Sequence, residues 1–357
     1  MDPAVLTEGL RIAKLSSARK KSGWKRYDGG IRKICDAIIE DCWNGEFYTA
    51  SAGHFCQFYT RDFGIACKWL DADRCRSTLS YALAKFREAD AVTVAITPAG
   101  KPFDFPTFSP DSLAYLLHAL RVCKADAVVA AHQDFLEAQI TAWCGRVIDE
   151  DGFVRRNVHY GGMRDHAVRS SSCYDNAMVL LLKQEAHTLG LKTPPIALTP
   201  EIFIKEFWVD DHCKDERDND VISGDASVVP FWLGIIDDAK MANAMLQRLH
   251  RMKLDKPLPL AYSAPGQSPK MIWQNVFSNG WEAEAKWMQL GLMYASIARR
   301  HHKELFEEIK DQLAQNILTN QNILEVFTPK GEPYTSTFYH ADEGMLWGAA
   351  LARNLLS

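Results

Sequence analysis

Residues 168–182 read VRSSSCYDNAMVLLL: three serines and a Cys-Tyr pair, then Asp175 and Asn176, then an unbroken apolar run. A helix that is apolar on most of its faces is packed inside other helices, whereas a surface helix keeps one polar face. A carboxylate beside a carboxamide stands where this buried helix begins. One reading makes Asp175 the helix N-cap, because Asp and Asn accept hydrogen bonds from free first-turn amides. The other makes it a catalytic acid at the mouth of a helical barrel.

Outward from this stretch, helical periodicity recurs and strand alternation does not. Ile31, Ile34, Cys35, Ile38 and Ile39 fall at spacings of three and four, which predicts a helix over Ile31–Cys42. Further helices are expected at Asp62–Leu70, Arg74–Arg87, Ser112–Lys124 (capped by Ser109), Gln133–Arg146 and Asn176–Leu189. The second half adds Glu201–Phe207, Asp225–Ile236 (with Asp225 as cap), Ala239–Met252, Glu282–Arg300, Lys303–Leu318 and His340–Leu355. About twelve helices in consecutive pairs predict an all-α fold, an (α/α)6 toroid of six hairpins forming one domain over residues 1–357. No fixed-period repeat suggests a solenoid. Long connectors rich in aromatic residues separate the pairs, and loops of that length in a compact domain are usually functional.

Composition narrows the function. The chain has 357 residues, 47% of them hydrophobic and 24% charged, so it buries a large core and is not disordered. Its net charge of -4 lacks the basic footprint of a nucleic-acid partner. The one basic bias, Arg11 to Arg26, reads as a solvated first helix. Nine cysteines without a C-x-x-C pair suit a reducing compartment. The N-terminus lacks the apolar core of a signal peptide and no run reaches membrane-spanning length, so a cytoplasmic protein without a membrane partner is expected. Oligomeric state is not legible.

Four loops carry chemistry suited to sugars. In FYTRDFGIACKWL (58–70), Arg61 offers bidentate hydrogen bonds and Asp62 can accept two adjacent hydroxyl protons; a structural ion pair is the alternative. The second loop holds Asp175 and Asn176. The third, around Ser223-Gly224-Asp225, reads as a helix start. In NQNILEVFTPKGEPY (320–334), Glu325 lies between apolar neighbours, where a carboxyl gains a raised pKa suited to acid-base work. Trp281, Trp273, Trp208, Phe103 and Phe105 offer stacking faces or core bulk. The histidines form no H-x-x-H pattern, and Asp210-Asp211-His212 is a weak cation candidate, so neither metal nor other cofactor is expected. His340 either contacts sugar or caps the last helix.

The order Arg-Asp-Phe, then Ser-x-x-x-Asp-Asn, then Asn279-Gly280-Trp281, then Glu-x-Phe-x-Pro-x-Gly-x-Pro resembles the six-hairpin glycosidases over roughly residues 58–350. That superfamily includes processing α-glucosidase, trehalase, neutral invertase and glycogen-debranching glucosidase. The resemblance implies that Tyr59, Arg61 and Asp62 grip the terminal sugar, that Asp175 is the general acid and that Glu325 is the general base. Asn176, Trp281, Glu282 and His340 are the further substrate-binding candidates, and Glu282 and Glu284 compete with Glu325 as base. The usual glycine before the acid is replaced in SSSCYD.

The implied activity is that of an inverting, exo-acting glycoside hydrolase on a small α-glycoside or an oligosaccharide end. Its partner would be a small carbohydrate. Inversion requires the two carboxyls roughly 6.5 to 9.5 Å apart, with water between. The alternatives are a sugar epimerase or lyase on the same barrel, using His159-Tyr160 or Tyr339-His340, and an inactive carbohydrate-binding homologue.

Overall fold

The computed structural model describes residues 3–278 and 280–357. Among the described residues the helices are α1 (Pro3–Ser22), α2 (Ile31–Asp41), α3 (Thr60–Ala66), α4 (Ala72–Ala89), α5 (Asp111–Val122), α6 (Asp126–Ala131) and α7 (Gln133–Val147). There follow α8 (Cys173–Thr188), α9 (Pro200–Phe207), α10 (Gly224–Trp232), α11 (Ala239–Arg251), α12 (Met288–His301), α13 (Lys303–Asn320) and α14 (Leu346–Leu356).

Six of them close a ring: α3 packs on α5, α5 on α8, α8 on α10, α10 on α12, α12 on α14, and α14 on α3. The outer helices are their hairpin partners. Thus α2 lies on α14, α4 on α5, α9 on α8, α11 on α12, and α13 on both α12 and α14, while α7 follows α6 on the wall beside α5. The sequence dictates which helix goes where. In α10, Gly224 through Phe231 are all buried, as an inner helix requires. In α11 only Ala242, Met245, Leu246 and Leu249 are, one stripe of an amphipathic helix. Gly64 permits the tight contact of α3 with α5, since a Cβ there would stand 2.6 Å from Tyr115 Cβ.

The all-α toroid is therefore present, with two additions to the predicted pattern. There are fourteen helices rather than about twelve, because α1 and the short α6 add to the six pairs. Among the described residues there are also nine short strands in three sheets. These are β1 (Phe58–Tyr59), β2 (Ala95–Ile96) and β3 (Pro102–Phe103); β4 (Trp208–Val209), β5 (His212–Glu216) and β6 (Asn219–Ile222); β7 (Leu260–Ala261), β8 (Lys286–Trp287) and β9 (Val326–Phe327). All pair antiparallel within their sheets.

These ladders gather the segments that lead into the inner helices. Strand β1 leads into α3, β8 into α12, and β9 lies ahead of α14. Isolated bridges Ser51↔Met345, Ser172↔Glu216 and Ser223↔Ser263 join the remaining lead-in segments. The N-termini of the inner helices accordingly converge on one end of the ring.

Several predicted boundaries are corrected. The helix expected from Glu282 begins at Met288, because Lys286 and Trp287 are taken into β8 between β7 and β9. The helix expected from His340 begins at Leu346. Ser109 does not cap α5, since its hydroxyl donates instead to Asp111 Oδ1 at 2.5 Å. Neither Asp175 nor Asp225 is a cap: Ser172 caps α8 and Ser223 caps α10, each accepting from the amide three residues on. Strings of Ser before Asp make either choice legal locally, and the helix starts where the serine oxygen reaches the free amide.

Candidate active site

Asp175 stands in the first turn of α8, three residues past the cap. Ser172 Oγ accepts from the Asp175 amide at 3.0 Å and donates to Asp175 Oδ2 at 2.6 Å. The other carboxyl oxygen, Oδ1, is buried and makes no hydrogen bond among the described residues. A helix N-terminus favours the ionised form. Burial nevertheless pushes Asp175 up to about 7, with Arg169 and Ser172 opposing and the charges of Asp111 and Asp225 assisting. Arg169 is held on the far side by Asp225 Oδ2 at 2.7 Å and Asp215 Oδ1 at 3.2 Å. The result is a carboxyl that can hold a proton near neutrality, with one buried oxygen that has no hydrogen-bond partner among the described residues.

The floor is built from α3 and α5. Arg61 Nη1 donates to Asp111 Oδ2 at 3.1 Å and to Gly162 O, and lies 3.9 Å from Asp165 Oδ1. Tyr174 Oη also donates to Asp111, at 2.7 Å, so the residue before the acid is tied to this pair. Gly162 is the neighbour of Asp175: a Cβ on it would stand 3.5 Å from Asp175 Oδ1. Burial raises Asp62 to about 6 and Asp165 to about 7, Arg61 opposing both. Glu282 accepts the Asp165 amide at 2.9 Å and the His166 amide at 2.7 Å, fixing the 162–166 loop. Trp281 Nε1 donates to His166 Nδ1 at 3.2 Å, and its ring meets Tyr339 edge-on at 4.9 Å between centroids.

Tyr339 brings the contacts to the second carboxyl, donating its hydroxyl proton to Glu325 Oε2. Glu325 directly precedes β9, and its backbone is held on both sides, the carbonyl by Met288 N and the amide by Asp342 O. Burial first, then the charge of Asp342, push Glu325 up to about 8, against the Tyr339 hydrogen bond. Asp62 adds to the same push, so its charge is felt at Glu325 from the α3 side. Arg61, Asp62, Asp175, Trp281, Glu282 and Glu325 thus belong to one connected end of the ring.

The remaining candidates divide. Tyr59 is buried beside them, with its hydroxyl accepting from Gln57 Nε2 at 3.3 Å. Asn176 is fully buried and structural: Oδ1 takes the Val154 amide, and Nδ2 donates to Ser171 Oγ and Ser172 O. Both oxygens of Glu282 are taken up by backbone amides, and Glu284 instead accepts from Gly266 N at 3.1 Å. His340 stacks on Trp24 at 4.2 Å, bonds Thr335 Oγ1 at 2.6 Å and caps nothing, since α14 starts six residues later. Asn279 lies outside the described residues. Asp211 pairs with Arg251 and Arg248, and its Oδ1 lies 3.3 Å from His212 Nδ1.

Sequence reading missed Asp111, Asp165, Arg169, His54 and Asp342. Asp111 had a signal, an acid in the first turn of a helix apolar on every side, the same pattern that singled out Asp175. His54 and Asp342 had none, because 288 residues separate them. The first helix keeps Lys14, Lys20 and Lys21 exposed, as a solvated helix would, and its other face is tied to this end. Glu8 on α1 accepts from Gln57, Arg19 pairs with buried Glu343 at 2.5 Å, and Ser16 accepts the His340 amide.

A closed ring of six helix hairpins is the fold that the resemblance to the six-hairpin glycosidases implied. Solved structures bear the likeness out at the level of fold. A rhamnosidase from Klebsiella oxytoca with rhamnose bound superposes with TM-score 0.62 at 14% identity, covering 91% of this chain, which spans 63% of that one. A GH63 mannosylglycerate hydrolase from Thermus thermophilus in complex with Tris gives 0.59 at 14% identity, over 90% of this chain and 99% of that one. A glycosidase variant in complex with glucose gives 0.58 at 13% identity, over 99% and 98%. No protein-family profile matches the chain, and no curated protein matches it.

Proposed function

We propose that this protein is an inverting, exo-acting glycoside hydrolase for a small α-glycoside or the end of an oligosaccharide, with Asp175 as general acid and Glu325 as general base. The observation that carries the reading is a pair of buried carboxyls with raised pKa, Asp175 in the first turn of inner helix α8 and Glu325 ahead of β9, joined through Arg61, Glu282, Trp281 and Tyr339. Hydrolysis asks for that pair: one carboxyl protonates the leaving oxygen while the other takes a proton from water on the opposite sugar face. Asp175 Oδ1, buried and without a partner, is the atom positioned to donate. Asp62 and Arg61 would orient the terminal hydroxyls, an effect on geometry rather than on bond making. The sugar-bound neighbours share the fold and lend support to a carbohydrate ligand.

A screen of aryl glycosides, trehalose, sucrose and glycosylglycerates tests this, with the first-formed anomer followed by NMR. An α-glycoside releasing the β-sugar is expected. Release of the α-sugar would instead mean retention, and no hydrolysis of any α-glycoside would contradict the reading. An epimerase using Tyr339 and His340 is disfavoured, since Tyr339 turns to Glu325 while His340 stacks on Trp24.

A further inference from the structure

Behind Glu325 lies a chain of buried groups for which hydrolysis alone gives no reason. Tyr339 Oη bonds Glu325 Oε2, His54 Nε2 stands 3.2 Å from Tyr339 Oη, and His54 Nδ1 stands 3.2 Å from Asp342 Oδ1. All four side chains are buried. Asp342 is oriented as an acceptor by Ser51 Oγ at 2.5 Å and by the amides of His54 at 2.8 Å and Phe55 at 3.1 Å.

Counting protons leaves two arrangements. His54 Nδ1 faces a carboxylate oxygen and so carries a proton. The tyrosine hydroxyl has one proton and two neighbours. If it donates to His54, then Glu325 must be protonated and donate to the hydroxyl. If it donates to Glu325, then His54 Nε2 must carry a proton as well. Both arrangements hold the same number of protons and differ in where one of them sits.

We propose that Tyr339 and His54 relay the proton of Glu325 onto His54, ionising the general base without releasing a proton to solvent. The Glu325 O–H bond breaks toward Tyr339, the Tyr339 O–H bond breaks toward His54, and an N–H bond forms at Nε2. Net charge is unchanged. Tyr339 and His54 are positioning residues acting through Glu325, and the inference rests on Glu325 being the base.

The need for a relay follows from burial. A carboxyl pushed up to about 8 is protonated at neutral pH and cannot take a proton from water. Burial, with Arg11 and Arg19 on α1, holds His54 below its ordinary value against the charges of Asp342 and Glu8, so the proton rests on Glu325 and the arrangement with a charged His54 is the minor one. Asp342 and Asp62 face Glu325, and Tyr59 faces Tyr339.

The test is the acid limb of kcat/KM against pH for the wild type and for Tyr339→Phe, His54→Gln and Glu325→Gln, on any glycoside the protein hydrolyses. Glutamine at 54 can still donate to Tyr339 but takes no proton. In both relay variants Glu325 loses its proton only to solvent, so the acid limb moves toward alkaline pH by about one unit or more. Tyr339→Phe also removes a direct hydrogen bond that lowers Glu325, so His54→Gln decides: an unmoved limb in that variant, with or without reduced kcat, overturns the relay. If Glu325→Gln keeps wild-type turnover, the base assignment itself falls, whatever the other two show.

Discussion

Asp175 owes its raised pKa to burial, against its partners Arg169 and Ser172. Among the described residues Ser172 supplies both the cap of α8 and a hydrogen bond to the carboxyl, so a single hydroxyl sets the helix start and the orientation of Asp175. Removing it by Ser172→Ala costs the cap, about 1 kcal/mol of stability, read from a denaturant midpoint. It also lets the carboxyl turn, so kcat is expected to fall by roughly tenfold or more while the fold survives. Wild-type kcat in that variant would detach the cap from the chemistry. Arg61 works at the same scale, pinning Gly162 O and Asp111 and so defining the wall beside Asp175 Oδ1.

At the scale of elements, the inner ring depends on close approach. Gly64→Ala would drive a methyl into Tyr115 at 2.6 Å and push α3 off α5. A loss of about 1–3 kcal/mol is expected, measured by urea unfolding. Elements also show where sequence reading succeeds and where it stops. Periods of three and four placed α2, α4 and α7 within a residue or two, because packing against one neighbour imposes that spacing. The strands β1, β2 and β3 were not legible, because two-residue ladders are set by pairing across distant loops and have no period of their own. The start of α12 was misread for the same reason, since Lys286 and Trp287 look helical until β9 pairs with them. Asp175, Glu325, Arg61 and Asp62 were legible as charged residues beside apolar segments. The Tyr339, His54 and Asp342 chain was not, because only ring closure brings residue 54 to residue 342.

At the scale of the molecule, the ring stores strain at its site by burying carboxyls. Asp175 and Asp165 are raised to about 7 and Glu325 to about 8. Between their unfolded values near 4 and these folded values, the native state binds more protons than the unfolded chain, so stability falls as pH rises through that window. Asp175→Asn removes one such group. Its melting temperature is therefore expected to match the wild type near pH 4 and to exceed it by roughly 1–3 °C at pH 8, by calorimetry. An equal difference at both pH values would mean that Asp175 is not raised. In the proposed function, closure of the ring makes Asp175 and Glu325 one catalytic pair. The most direct test of that pairing is kcat of Asp175→Asn and of Glu325→Gln at pH 7 on a glycoside that the wild type hydrolyses, with folding checked by melting curves. Both variants should fold and lose about a thousandfold or more, whereas either one turning over within about tenfold of the wild type would contradict the account.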